Sequence, residues 1–306
     1  MRTRSRILSL LLPVFAVAAC GFSGSSQKSP EDYVRHCVRL LDRQALYADT
    51  PRWREEKTSF LAEAKTLTTM DQAHETVSRA AKVAGGKHSA LVPPVTDTVS
   101  YPEVAPELNL LEGDILHIVL PAHMGVKVPD SLYIHRVLDY LQEHPDAKGV
   151  VVDLRGNYGG NMGPMIAAVS PLLPEGVVLR FKGRSRTQFI SLEYILRGAG
   201  LSAANIHKLP DSTPVALLTD GQTASSGEAT LLCFRGLDNV RTFGSPSAGY
   251  ASANIVKTLV DGYMLVITTS CDVARTGEVF CEDPIDPDVT TQTPLEDAVA
   301  WIEGGG

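Results

Sequence analysis

The sequence predicts an α/β fold, and three observations carry that prediction. From residue 115 onward, short apolar runs alternate with segments of helical periodicity. Two of the runs, Gly149 to Leu154 and Pro214 to Leu218, show no polar alternation, as expected of strands covered on both faces. Each leads through a turn rich in small residues into an apolar helix, the order of a parallel sheet with crossover helices.

The chain opens with Arg2, Arg4 and Arg6, then a short apolar run from Ile7 to Ala19. This is the pattern of an export signal, and it falls short of the roughly 20 apolar residues that span a bilayer. It ends in Val17-Ala18-Ala19-Cys20, small residues before a cysteine that resemble the bacterial lipobox. The resemblance implies removal of residues 1–19 and lipidation of Cys20, anchoring the body to the membrane of the cell envelope without crossing it. An ordinary signal peptide with an incidental cysteine is the alternative. Residues 20–29 are rich in Gly and Ser and read as a tether.

Residues 30–85 read as a helical subdomain. Ser29-Pro30-Glu31-Asp32 is a helix start: a hydroxyl cap, proline in the first turn, then acids. A second helix is predicted from Trp53 to Leu67, and a third from Thr69 to a stop at Gly85-Gly86. Residues 86–306 form the second predicted unit. Its strands are Ile115 to Leu120, Gly149 to Leu154, Val177 to Phe181, Pro214 to Leu218 and Val240 to Phe243. Its helices are Pro129 to Glu143, with Leu132, Val137, Leu138 and Leu141 inward, Met162 to Leu173, Ser225 to Phe234, and Thr293 to Ile302 capped by Thr293. Asn254 to Val260 and Tyr263 to Thr269 are predicted to pair across Asp261-Gly262.

Charge and cysteines narrow the function. The formal net charge is −7, or −10 once the three arginines of residues 1–19 are gone, which argues against nucleic acid as a partner. Cys20 aside, Cys37, Cys233, Cys271 and Cys281 remain. In an exported chain they predict two disulfides. Cys271–Cys281 would close a short loop, leaving Cys37 with Cys233; alternatively Cys37 and Cys233 are small buried hydrophobes on helix faces. No spacing matches a zinc site, so no metal is expected.

Three constellations could carry chemistry. In Asp153-Leu154-Arg155-Gly156-Asn157-Tyr158-Gly159-Gly160-Asn161, a buried strand runs into glycines whose N–H groups can face a cleft and bind an oxyanion. A purely structural turn is the plain alternative. Thr223-Ala224-Ser225-Ser226-Gly227-Glu228 places a serine at a helix N-terminus, where unpaired N–H groups and the helix dipole favour developing negative charge. Either serine could equally be a simple N-cap. Gly85-Gly86-Lys87-His88-Ser89 puts an imidazole, a general base near neutral pH, after a glycine break.

Taken in order, these segments resemble the tail-specific, or C-terminal-processing, protease family (peptidase family S41). Asp153-Leu154-Arg155-Gly156-Asn157-Tyr158-Gly159-Gly160 resembles its D-L-R-x-N-x-G-G, Thr223 to Glu228 resembles T-A-S-A-S-E, and Pro284-Ile285-Asp286-Pro287-Asp288 resembles the closing G-I-x-P-D. The resemblance implies a ClpP/crotonase-like αβ core, a peptide or protein substrate, no cofactor, and Ser225 as nucleophile with Gly159 and Ser226 as oxyanion donors. Two departures follow. The family's F-G-K-G-T-x-Q is here Ala248-Gly249-Tyr250-Ala251-Ser252-Ala253-Asn254, so Tyr250 replaces the dyad lysine. The tricorn-like branch, which uses a histidine held by a glutamate, then makes His88 the base. The glutamate expected six residues before Pro287 is here Cys281, which leaves Glu282 as the triad acid, with Asp283 or Glu228 as substitutes. Residues 92–113 are too few for the PDZ domain common in the family. The rival functions are a catalytically inactive binding or scaffold lipoprotein and a hydrolase of small esters.

Overall fold

The computed structural model describes residues 29–94 and 103–306. The proposed signal, Cys20 and nearly all of the tether lie outside the described residues. The N-terminal part is three helices, α1 (Pro30–Gln44), α2 (Pro51–Glu63) and α3 (Met70–Gly85). Their starts are written in the sequence. Ser29 Oγ accepts from Asp32 N, Thr50 Oγ1 from Trp53 N, and Thr69 and Gln72 form a reciprocal capping box. The second helix ends earlier than the periodicity predicts, because Ala64–Thr66 tighten into a 3-10 turn. The apolar faces of these helices do not close on themselves alone. Their core of Tyr33, Trp53, Phe60 and Val77 continues into Leu265 and Ile267 of the adjoining sheet and Leu259 in its hairpin turn.

The remaining elements in order are β1 (Ala90–Val92), β2 (Glu107–Leu111), β3 (Ile115–Val119), α4 (Asp130–Glu143), β4 (Gly149–Asp153), α5 (Met162–Ala168), β5 (Val177–Gly183), β6 (Thr187–Ser191), α6 (Leu192–Gly198), β7 (Val215–Thr219), α7 (Ser226–Phe234), β8 (Val240–Gly244), β9 (Ser252–Thr258), β10 (Met264–Val273), β11 (Val279–Phe280), β12 (Val289–Thr290) and α8 (Pro294–Glu303). They build two sheets. One has the order β12-β8-β7-β4-β3-β2 and is parallel except for β2, which runs antiparallel to β3. Its strands alternate between two buried faces. Leu116, Ile118, Val150, Val152 and Leu217 face α4, α5 and α7, while Ile115, Val151, Ala216 and Leu218 face Ala298 and Ile302 of α8. This double burial is why the strands read as continuous apolar runs. On α4 the buried face is Tyr133, Ile134, Val137 and Leu141, whereas Leu132, expected inward, is 51% exposed. Thr293 precedes α8 without capping it through its side chain.

The second sheet is antiparallel, in the order β1-β10-β5-β6, with β9 and β11 also paired to β10. The predicted hairpin is β9–β10, turned at Asp261-Gly262 with Gly262 at φ 83°. A bulge between Thr268 and Ser270 shifts the register of its two halves. Cys271 and Cys281 form the expected disulfide, with Cα atoms 4.6 Å apart. The second expected bridge is not formed. Cys37 is buried in the helical core and Cys233 in the core beneath the parallel sheet, two different apolar clusters. Cys233 Sγ turns to the Ala229 carbonyl at 3.2 Å, and burial pushes its thiol up, away from the reactive thiolate. Among the described residues, no helix is long and apolar enough to cross a membrane.

Candidate active site

β4 and β7 are neighbours in the parallel sheet, so the turns at their carboxyl ends lie side by side. The two turns are stitched together by side chains the motifs specify. Asp220 Oδ1 accepts from Gly156 N at 3.1 Å, and Thr223 Oγ1 donates to the Leu154 carbonyl at 2.8 Å. Ala224 N donates to the Asn157 carbonyl at 2.9 Å, and Asn157 Nδ2 to that of Leu120 at 2.8 Å. Glycine is required where the turns meet. Gly159 (φ 108°) would bring a Cβ within 2.8 Å of Ser225 Cβ, and Gly160 (φ 131°) within 1.9 Å of the His123 carbonyl oxygen.

Ser225 occupies a sharp turn between β7 and α7, with φ 53° and ψ −115°. For a residue with a Cβ this conformation is costly and persists only where neighbours impose it. Glu228 is the main constraint. It is fully buried and accepts four hydrogen bonds: from Ser225 N (2.8 Å), Ser247 Oγ (2.5 Å), Gly249 N (2.8 Å) and Tyr250 N (2.7 Å). Burial raises its carboxyl above the usual range, against the pull of those donors. Glu228 therefore ties the serine turn to the loop before β9.

The predicted oxyanion donors fare differently. Ser226 N opens α7 and has no intrahelical acceptor, while its Oγ donates to the Gly160 carbonyl at 2.5 Å. Gly159 N–H does not face the cleft; it donates to Asn157 Oδ1 at 2.9 Å, within its own turn. The bridge between Gly160 and His123 uses the flanking Gly159 carbonyl and Asn161 N–H, so the Gly160 amide is not consumed.

His88 is buried on the loop between α3 and β1. Its Nδ1 is 2.7 Å from Ser252 Oγ on β9, its ring meets Tyr250 edge-on at 5.2 Å, and its Nε2 has no partner. Burial, with the charges of Lys82 and Lys87 behind it, pushes the imidazole down to about 3. It is neutral at physiological pH. No hydrogen bond joins His88 to Ser225 among the described residues, but Ser252, the partner of His88, lines the same cavity as Ser225. Glu282 is not the residue on the imidazole. Its Oε1 accepts from Lys87 N at 2.5 Å and packs on Gly86, so it grips the backbone one residue before His88. Tyr250, in place of the dyad lysine, lies beneath Lys87 Nζ at 4.6 Å from its ring centre.

The cavity beside Ser225 has a volume of about 230 Å³. Its walls come from the two turns and from β5, β6, β9 and β10. Two larger cavities, about 430 and 310 Å³, contain none of these residues. Among the described residues, no cluster of His, Cys, Asp and Glu could hold a metal ion. Sequence reasoning missed Ser252 as the histidine's partner, and it missed Asn254 and Asp272 on the cavity wall. The only signal was that Ser252 and Asn254 fall in the stretch that departs from the dyad pattern.

Comparison with known proteins agrees with this fold. The model of peptidase family S41 matches residues 119–291. The nisin-resistance protein of Lactococcus lactis subsp. lactis is 34% identical over 280 residues, covering 90% of this chain and 87% of that protein. A carboxy-terminal-processing protease of Bartonella bacilliformis is 25% identical over 148 residues, 48% of this chain and 32% of that protein. Among solved structures, a lipoprotein from Streptococcus agalactiae superposes with a TM-score of 0.82 at 30% identity, covering 92% of this chain and 99% of that one. The photosystem II D1 C-terminal processing protease shares the fold, with a TM-score of 0.62 at 11% identity over 90% of this chain and 97% of that one. Matched by the family model over more than half its length and by a relative over nine-tenths of it, this chain belongs to peptidase family S41.

Proposed function

We propose that the chain is a serine peptidase acting on peptides outside the cytoplasm, with Ser225 as nucleophile and His88 as general base. The observation that carries this reading is the conformation of Ser225: a strained turn at a helix N-terminus, held by a buried glutamate, opening on a cleft. With Nδ1–H donated to Ser252 Oγ, the His88 ring keeps its lone pair on Nε2, the tautomer a base needs. Ser225 Oγ attacks the carbonyl carbon as its proton passes to Nε2. The oxyanion is met by the N–H groups of Ser226 and Gly160, and the proton then goes to the leaving amine. Water repeats the sequence to free the acyl-enzyme.

The relative named for nisin resistance supports a substrate of that kind, and the relative described as a lipoprotein supports export with Cys20 as the lipidated residue. One observation favours a second reading, an inactive binding protein: the Ser225–His88 hydrogen bond is not made, and no carboxylate stands on the ring to stabilise an imidazolium. Labelling with a fluorophosphonate decides between them. The wild type is expected to label and Ser225→Ala not to, with nisin cleavage falling about 10⁴-fold or more in the variant. An unlabelled wild type would leave the binding protein as the answer.

A further inference from the structure

The cavity beside Ser225 contains a buried group that the peptidase mechanism does not use. Asp272, on β10, is 2% exposed and makes no side-chain hydrogen bond, and its Oδ1 is sealed from solvent without a partner. Asn254, on β9, lines the same cavity, and its Oδ1 is also buried and unpartnered. A buried carboxyl without a donor costs stability, so one on the wall of a cleft calls for a ligand that brings a donor. No lysine, arginine or histidine lines the cavity, while Met162, Phe181, Ile255 and Val256 give it apolar walls. Apolar walls around a buried carboxyl without a partner fit a long aliphatic side chain ending in a cation. The net charge of −7 draws such a peptide in.

We propose that Asp272 is the specificity-determining residue of this cleft, and that the cavity receives a basic side chain of the peptide close to the bond cleaved, its ammonium group donating to the Asp272 carboxyl. This rests on the peptidase reading for its location, since the cavity is the one on which Ser225 opens. Without a cation, burial and the neighbouring charge of Glu228 hold the Asp272 carboxyl well above the usual range. An arriving ammonium favours the carboxylate and forms a buried pair with it. A neutral side chain of the same length brings no donor to the carboxyl.

The test uses internally quenched peptides that differ only in lysine, norleucine or glutamine at one position, scanned across the positions around the cleaved bond. At one position lysine is expected to exceed norleucine at least about tenfold in kcat/KM. In Asp272→Asn the two peptides are expected to become equal, because an amide cannot supply the charge. Anisotropy of the labelled peptides on Ser225→Ala reads the same preference as affinity, independent of cleavage. Cleavage without preference for lysine at any position overturns the inference and leaves the peptidase intact. Absence of cleavage together with lysine-selective binding overturns the peptidase and leaves the pocket. Glutamine preferred over lysine would make Asp272 a neutral hydrogen-bonding acid and overturn the basic assignment. The wild-type comparison of lysine with norleucine stands even if Asp272→Asn fails to fold.

Discussion

Ser225 stands between the carboxyl end of a central strand and a helix, its amide on Glu228 and its Cβ against Gly159, whereas His88 stands on a loop, its ring held by one hydroxyl and one aromatic edge. The nucleophile side is thus positioned by backbone and a four-bonded buried carboxylate. The base side is positioned by side chains arriving from β9 and from the loop after β11. Backbone positions follow from local sequence, and side-chain positions follow from how distant segments dock. The two halves of the site should therefore differ in how they fail.

The largest expected effect is at His88. His88→Ala should lower kcat about 10⁴-fold while leaving thermal stability little changed beyond the cavity it opens. Its depressed value also fixes the pH behaviour. Because the folded imidazole titrates near 3, kcat/KM in the wild type should show no acid limb at pH 6 to 7. Between about pH 6.5 and 3 the unfolded chain binds a proton that the folded one does not, so His88 makes stability fall as pH falls through that window. His88→Gln should flatten that part of the stability profile, measured by denaturant unfolding at each pH. A limb near 6.5 in activity would mean that the ring is more hydrated than its burial implies.

Next comes Glu228, where the opposite pattern is expected. Glu228→Gln replaces one carboxylate oxygen by a donor, facing groups that are donors themselves. It should cost about 3 kcal/mol of stability and shift the Ser225 turn, so melting temperature and fluorophosphonate labelling fall together. If labelling survives at wild-type rate in a destabilised protein, the strain at Ser225 is imposed by the stitched turns and not by Glu228.

How much of this was legible in the sequence divides along the same line. The Ser225 turn was readable because strand, turn and helix are contiguous and the two buried strands declare themselves by unbroken apolar runs. The antiparallel sheet was less so. Thr187–Ser191 is largely exposed, as is Glu107–Leu111 at the end of the other sheet, so both lack the apolar signature of β4 and β7. The Gly159 N–H, named as an oxyanion donor from its motif, donates to the Asn157 side chain, a contact within the turn that the motif does not announce. Ser252 was invisible as a partner of His88, because the pairing spans 164 residues and depends on where β9 meets the α3–β1 loop.

Ser252 gives the intermediate effect. As an orienting group it should cost about 10–100-fold in kcat when changed to Ala, with Ser252→Thr restoring much of the loss. A loss as deep as that of His88→Ala would instead place the hydroxyl in the path of the proton, between Ser225 and the ring.

The smallest effect is expected at Glu282, and it separates two accounts of the base side. Counting back from Pro287 places Cys281 where relatives carry their acid, and Cys281 is committed to Cys271. Glu282, next along, turns to the Lys87 amide and stabilises the loop that carries His88 without touching the imidazole. Glu282→Gln retains a carbonyl oxygen for that amide, so kcat/KM should stay within about threefold of wild type, since only one charge-assisted bond weakens. Glu282→Ala removes the acceptor and should cost about 1–2 kcal/mol through the stranded Lys87 N–H, with a modest fall in kcat as the loop loosens. An acid on the imidazole behaves otherwise: its amide substitution costs about 10⁴ in kcat with little loss of stability, because the wrong tautomer is locked in place. Measuring kcat and unfolding free energy side by side for the Gln and Ala variants therefore tells loop support from ring support. A steep loss of kcat in Glu282→Gln, with folding intact, would put the carboxylate back on His88 during turnover.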